Sequence, residues 1–352
     1  MNKQKQIEDI DLTQELLKHC MNLHVYESFI VSKTKFEQYE NPVISISGGA
    51  DSDIVLDIVA RVDIEKKSRY VFFDTGIEYQ ATKEHLNDLE KKYYITIERE
   101  RAKTPVPVGC KKYGLPFWSK FVSEMIERLQ RHGFKWEDKP FDELINEYPK
   151  CRVAIKWWCN ENGENSRFNI SYTRELKEYM IAYPPDFKIS NKCCDGAKKS
   201  VAKEFLKNNN TDLNVVGIRK AEGGIRATAY KTCFDNGKEE QSWDNYRPIF
   251  WYEDKDKEYY EQFFEIKHSD CYHKYGLKRT GCAGCPFGKD FEKELEVCKR
   301  YEPKLYNAIN YIFGKSYEYT RRFLEFRKTL SNSNEIHELT EESNGKKKDS
   351  TD

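Results

Sequence analysis

The chain has 352 residues with 59 basic and 59 acidic side chains, a formal net charge of +0. That balance argues against a surface coated throughout for nucleic acid or anionic membrane. No run of about 18 uncharged apolar residues is present, and the polar opening MNKQKQIEDIDLTQ lacks the apolar stretch of a secretory signal, so a cytoplasmic protein without membrane association is expected. In such a compartment eleven cysteines point to metal or redox chemistry before disulfides.

Residues 11–40 show helical spacing, with Leu12, Leu16, Leu17, Phe29, Phe36 and Tyr39 recurring at three- and four-residue intervals before Asn41-Pro42. Val43, Ile44 and Ile46 then form a short β-branched run that stops at two glycines, and Ile54, Val55, Leu56, Ile58 and Val59 continue as a helix. Tyr70–Phe73 predicts a second strand ending at Asp74-Thr75-Gly76, and Tyr94–Ile97 a third. Alternation at this spacing predicts an α/β fold with a doubly wound, mostly parallel sheet whose ligands lie at the carboxyl ends of the strands.

From about 104 to 186 the pattern loosens into helical pieces such as Phe121–Leu129, an expected helical insertion carrying Trp157-Trp158. Those tryptophans are placed by preference in packing, with base stacking as the alternative. Leu213–Ile218 predicts a further strand running into Arg219, Pro248–Trp251 a short strand or turn, Tyr259–Ile266 a helix, and Leu305 to Phe313 an amphipathic helix. The expected organisation is an N-terminal helical segment (1–40), a nucleotide-binding domain (41–235), a C-terminal cysteine-bearing helical region (236–330) and an unfolded tail (331–352).

The turn Ser47-Gly48-Gly49-Ala50-Asp51-Ser52 carries the chemistry. Two glycines permit a tight turn and let an anion approach amides at the start of the next helix, where the helix dipole favours it. Ser47 and Ser52 add hydroxyls, and Asp51 can hold a magnesium ion bridging phosphate oxygens. The Gly-Lys-Ser/Thr ending of a Walker loop is absent.

The segments NPVISISGGADSDIVLDI and YVFFDTGIEY resemble the phosphoadenosine phosphosulfate (PAPS) reductase family, within the PP-loop, adenine nucleotide alpha hydrolase-like superfamily. GLPFWSK, NKCCDGAKK, GIRKAEGGIR and LKRTGCAGCPFG look like later family segments in order, so the resemblance spans roughly residues 25–290. It implies an adenine nucleotide, ATP or adenosine phosphosulfate, across the carboxyl edge of the sheet. By that resemblance Ser47, Gly48, Gly49, Asp51 and Ser52 hold phosphate or sulfate, Asp74, Thr75 and Gly76 lie near the adenosine, and Arg219 and Arg226 reach the anionic end. The chain departs from the family at Ala50 and Asp53, where relatives often carry Lys and a small hydroxyl residue, and at Glu222-Gly223, more often Glu-Ser.

Cys282-Ala283-Gly284-Cys285 can clamp a metal centre with two thiolates. Together with Cys193-Cys194 it resembles the pattern of iron-sulfur adenylylsulfate reductases, which implies a 4Fe-4S cluster, with zinc as the competing occupant. Cys233 or Cys271 can each replace one of the tandem pair, while Cys20, Cys110, Cys151, Cys159 and Cys298 are expected to be small core residues. The family's reductases attack with a cysteine in a tail motif of the form Glu-Cys-Gly-Ile-His; here the tail reads Asn334-Glu335-Ile336-His337, without a thiol.

The expected function is therefore ATP-dependent adenylation of an acceptor for sulfur transfer, with a nucleic acid acceptor or a sulfur-donor protein as partner. The alternatives are a sulfonucleotide reductase using an external thiol, and a non-catalytic nucleotide-binding subunit of a larger complex.

Overall fold

A computed structural model describes residues 15, 17–237, 241–288 and 290–345; the side chains of residues 224–226 and 331–345 lie outside that description. Six strands form one sheet: β1 (Pro42–Ser45), β2 (Arg69–Asp74), β3 (Ile97–Arg101), β4 (Leu213–Val216), β5 (Phe234–Asp235) and β6 (Asp244–Tyr246). Their order is β3-β2-β1-β4-β6-β5, every pairing being parallel except β5 with β6.

β1 is central because its side chains are apolar on both faces. Ile44 joins one core with Ile54, Val55, Ile58 and Leu213, while Val43 joins another with Val71, Phe205, Leu206 and Trp243. A strand buried on both faces reads as a continuous apolar run and belongs in a parallel sheet between helical layers. The chain leaves β1 toward β2 on one side, and β4 pairs on the other. The loops after β1 and β4 therefore diverge at the point where strand order reverses, where such sheets open a crevice.

The third strand lies later than the Tyr94–Ile97 expectation. Tyr94 takes a left-handed conformation (φ 53°, ψ 45°) that ends the helix Gln80–Tyr93, and pairing begins at Ile97. The alternating Glu and Arg of β3 suit an exposed edge: Arg99 binds the Glu90 carboxylate at 2.8 Å. Residues 248–251 form a turn rather than a strand.

The described part of the N-terminal segment holds the helix Leu23–Gln38, capped by the Asn22 side chain on Val25 N at 3.1 Å; Leu12 and Leu16 lie outside the described residues. The helix Pro303–Gly345 runs through residues 331–345. Between Gly314 and Gly345 there is neither Gly nor Pro, so nothing terminates a helix already nucleated by the packed turns around Ile309, Phe313 and Tyr317.

The chain divides into two compact units. The first comprises 1–106, 194–283 and 293–306 and contains the sheet; the second comprises 107–193, 284–292 and 307–352. The second has its own core, in which Trp157 and Trp158 are 1% and 0% exposed among Leu129, Phe134 and Tyr179. The two tryptophans are thus packing residues.

Within the first unit Asp57 is fully buried and accepts hydrogen bonds from Tyr260 (2.6 Å), Tyr93 (2.7 Å) and Arg61 Nε (2.8 Å). Removing one member of such a network strands the others without a partner. Asp57→Ala is expected to cost about 3–5 kcal/mol in a denaturant titration.

Candidate phosphate-binding cleft

The Ser47–Ser52 loop begins where β1 gives out. Ile46 N still bonds Val71 O at 2.8 Å, and Gly48 then takes φ +67°, lying against Thr82. The helix Ala50–Val62 starts with Gly49 as its N-cap, a residue with no side chain to satisfy the first amides. The Ser52 hydroxyl folds back in its place. It accepts from Ser47 N (3.2 Å), Ser47 Oγ (3.1 Å) and Gly49 N (3.2 Å), and donates to Gly49 O at 2.8 Å.

Ser52→Ala is expected to lower stability by about 1–2 kcal/mol, a capping-type loss read as a fall in Tm.

Beside this loop lies a cleft of about 330 Å³, lined by Ser47, Gly49, Asp51, Ser52, Gly217 and Arg219 and by residues of the 254–257 and 272–280 segments. Gly217 is needed where the two loops meet, because a Cβ there would stand 3.0 Å from Asp51 O. Arg219, 7% exposed, donates through Nε to both Asp51 oxygens at 3.2 Å and through one terminal nitrogen to Asp254 at 2.9 Å. Burial opposes its charge, but Asp51 and Asp254 outweigh that and hold the guanidinium protonated above its ordinary value.

Lys257 approaches Asp51 at 3.1 Å, Arg279 approaches Glu222 at 3.7 Å, and Lys278 completes four cationic side chains around the cleft. Tyr272 accepts from Ala50 N at 2.9 Å and lies 3.4 Å from the Thr280 hydroxyl. Four cations, the three carboxylates Asp51, Glu222 and Asp254, hydroxyls and the start of a helix line one crevice, a lining with a positive balance that admits an anion. Asp51 is paired with two cations, which favours an anion at this spot over a magnesium ion held by the protein alone.

Of the residues singled out from sequence, Ser47, Gly49, Asp51, Ser52 and Arg219 share this cleft, with Gly48 supporting the turn behind them. Asp74, Thr75 and Gly76 end β2 elsewhere in the unit and do not line it. There Glu78 accepts from Thr75 N at 2.8 Å, Gly76 N donates to Asp74 at 2.8 Å, and Thr75 Oγ1 lies 3.4 Å from Cys282 Sγ. Burial and the neighbouring Asp74 raise the Glu78 carboxyl. Asp74, although burial pushes it up, is held below its usual range by hydrogen bonds from Glu78 and Gly76. Burial pushes the Cys282 thiol upward.

Arg226 lies on the short helix Gly224–Ala229, and its side chain is outside the described residues. Cys193 and Cys194 end the turn Lys192–Cys194, followed by a π-helical stretch Asp195–Lys199. Cys194 and Cys282 belong to the first unit, Cys193 and Cys285 to the second. Four thiols are chemically apt for an iron-sulfur cluster or zinc. Among the described residues no three Cys, His, Asp or Glu side chains are grouped as metal ligands, and no chemical step is derived through such a centre.

Sequence reasoning missed Lys257, Tyr272, Lys278, Arg279 and Thr280. The last three were legible, since Lys278-Arg279-Thr280 stands one residue, Gly281, ahead of Cys282. Lys257 and Tyr272 were not, because nothing in a helical Asp254-Lys-Asp-Lys pattern tells which lysine turns inward. Cys110, Cys151 and Cys298 are buried, and burial pushes the Cys298 thiol up to about 12.

Residues 41–132 match the model of the "Phosphoadenosine phosphosulfate reductase domain". A protein of Methanocaldococcus jannaschii, described only as uncharacterized, is 25% identical over 277 residues; the alignment covers 78% of this chain and 42% of the relative. The chain thus spans about two fifths of that relative's length. Among solved structures, a phosphoadenylyl-sulfate (PAPS) reductase from Candida auris in a phosphate complex is 10% identical (TM-score 0.41, covering 72% of this chain and 87% of that one). An NH3-dependent NAD synthetase from Campylobacter jejuni with a nitrate ion is 14% identical (TM-score 0.34, covering 87% and 95%). Among the described residues no helix is long and apolar enough to cross a membrane.

Proposed function

We propose, from the premise that residues 41–132 carry a phosphoadenosine phosphosulfate reductase domain, that the cleft binds the phosphates of an adenine nucleotide, ATP by preference. The observation that carries the proposal is the convergence of Arg219, Lys257, Lys278 and Arg279 on the Ser47–Ser52 loop at the sheet's switch point.

In the reaction we favour, an acceptor oxygen attacks the α-phosphorus of ATP, the bond to the bridging oxygen breaks, and pyrophosphate leaves with its negative charge against the loop and the four cations. The acceptor adenylate then loses AMP to a sulfur nucleophile, which keeps the balance of a substitution without net oxidation. Arg219 and Lys257 act by stabilising charge on the departing phosphates. The acceptor is a nucleic acid or the partner a sulfur-donor protein on this reading, and a cluster at Cys193, Cys194, Cys282 and Cys285 rests on the cysteine pattern alone.

Incubation of anaerobically purified protein with ATP, magnesium and candidate acceptors, resolved by anion-exchange chromatography, is expected to yield AMP and pyrophosphate in equal amounts. The family match favours a second reading, sulfonucleotide reduction with an external thiol. Sulfite released from adenosine phosphosulfate or its 3′-phosphorylated form, with ATP left intact, would replace the first reading by the second. Tight ATP binding with neither product would leave a nucleotide-binding subunit.

A further inference from the structure

Beneath the phosphate loop lies a buried charge that the reaction above does not use. Asp53 stands two residues beyond Asp51 in the first turn of the helix Ala50–Val62 and is 1% exposed. Its Oδ2 meets His268 Nδ1 at 2.7 Å and His85 Nε2 at 3.0 Å, while Oδ1 is enclosed with no hydrogen-bond partner among the described residues. A carboxylate here suits the helix N-terminus. It also repels an arriving phosphate, since an uncompensated charge in a low-dielectric interior acts over more than one helical turn.

His268 supplies the compensation. Its Nε2 reaches Glu261 Oε1 at 2.9 Å, so both ring nitrogens face carboxylates. Only the imidazolium can donate to two acceptors at once. Burial works against the proton, but Asp53 and Glu261 outweigh it and raise the ring's pKa to about 9. From Glu261 the pairing runs on toward the cleft: Lys257 lies 3.7 Å from Glu261 and 3.1 Å from Asp51, which holds Arg219 at 3.2 Å. Arg219, Asp51, Lys257, Glu261, His268 and Asp53 thus alternate in sign from the cleft to the interior. The remaining groups facing His268 are Tyr272 and His273, with ring centroids at 5.6 Å and 6.4 Å, and His85 beyond Asp53.

We propose that protonated His268 is the counter-charge that makes the loop competent for phosphate, a positioning residue acting through Asp53, with Glu261 holding the proton on its second ring nitrogen. The inference rests on the reading of the cleft as a nucleotide phosphate site, and it adds a built-in condition on that site: the ligand's phosphates are held tightly only while His268 carries its proton.

The test is calorimetric titration of the full chain with ATP and, separately, with pyrophosphate, between pH 6.5 and 10, for the wild type, His268→Gln, Asp53→Asn and the double variant, folding being checked by circular dichroism. His268→Gln is expected to weaken both ligands about tenfold or more, the effect of one unpaired charge within a few helical turns of a phosphate. The double variant recovers most of that loss, because the carboxylate that needed compensation is gone. The wild type loses affinity as pH rises through the His268 pKa, and Asp53→Asn does not. Where His268→Gln does not fold, these two pH profiles decide. Equal affinity of wild type and His268→Gln, a double variant as weak as the single one, or one pH profile shared by wild type and Asp53→Asn overturns the inference while leaving the cleft's assignment intact. A wild type that binds neither ATP nor pyrophosphate defeats that assignment, and the inference with it.

Discussion

Arg219→Ala is expected to weaken ATP binding about 10- to 100-fold, the loss that goes with removing a charge-assisted hydrogen-bond donor to a phosphate. Arg219 is 7% exposed and fixed by Asp51, Asp254 and the Tyr252 carbonyl, which makes it a preoriented donor. The stability change should be small by comparison, because Asp51 keeps Lys257 as a partner at 3.1 Å. Arg219→Lys is expected to recover little, since an ammonium cannot reproduce the planar fork. Calorimetric affinity set beside the melting temperature separates the two effects, and an unchanged dissociation constant would remove Arg219 from the site.

Gly48→Ala is the second large effect. At φ +67° any L side chain is strained by about 1–2 kcal/mol. The added Cβ would also stand 2.6 Å from Thr82 Cγ2, and Thr82 is only 2% exposed, so it has little room to yield. Overpacking of this kind costs about 1–3 kcal/mol more. The expected result is a loss of about 2–5 kcal/mol in a urea titration together with loss of ATP binding, since the loop must shift to relieve the contact. Adding Thr82→Ser removes the clashing methyl and should return the packing part of the loss but not the backbone part.

Much of the sheet was legible because burial writes itself into side-chain type. Val43-Ile44 and Tyr70–Phe73 are apolar runs, Leu213–Val216 is apolar but for Asn214, and each became a strand. β6, Asp244-Asn245-Tyr246, was illegible because two of its three residues are poor strand formers, held there by pairing with β4. β3 slipped because the apolar Tyr94 and Ile95 belong to the helix end and the core, whereas the paired residues are charged.

The loop residues and Arg219 could be found in sequence because they sit at strand ends, where periodicity stops. Lys257, Tyr272 and His268 reach the same neighbourhood through tertiary packing and carry no local signature. Asp53 was visible as a departure from the family pattern, yet its significance depends on His268, 215 residues further along the chain.

The two borders of the sheet constrain how another protein could join this unit. On one side β3 presents Glu98, Arg99, Glu100 and Arg101 along its length; on the other β5 is two residues long and runs against its neighbour. Neither offers the long, apolar, unpaired backbone on which a foreign strand zips. Among the described residues, sheet-to-sheet polymerisation through this unit is therefore disfavoured.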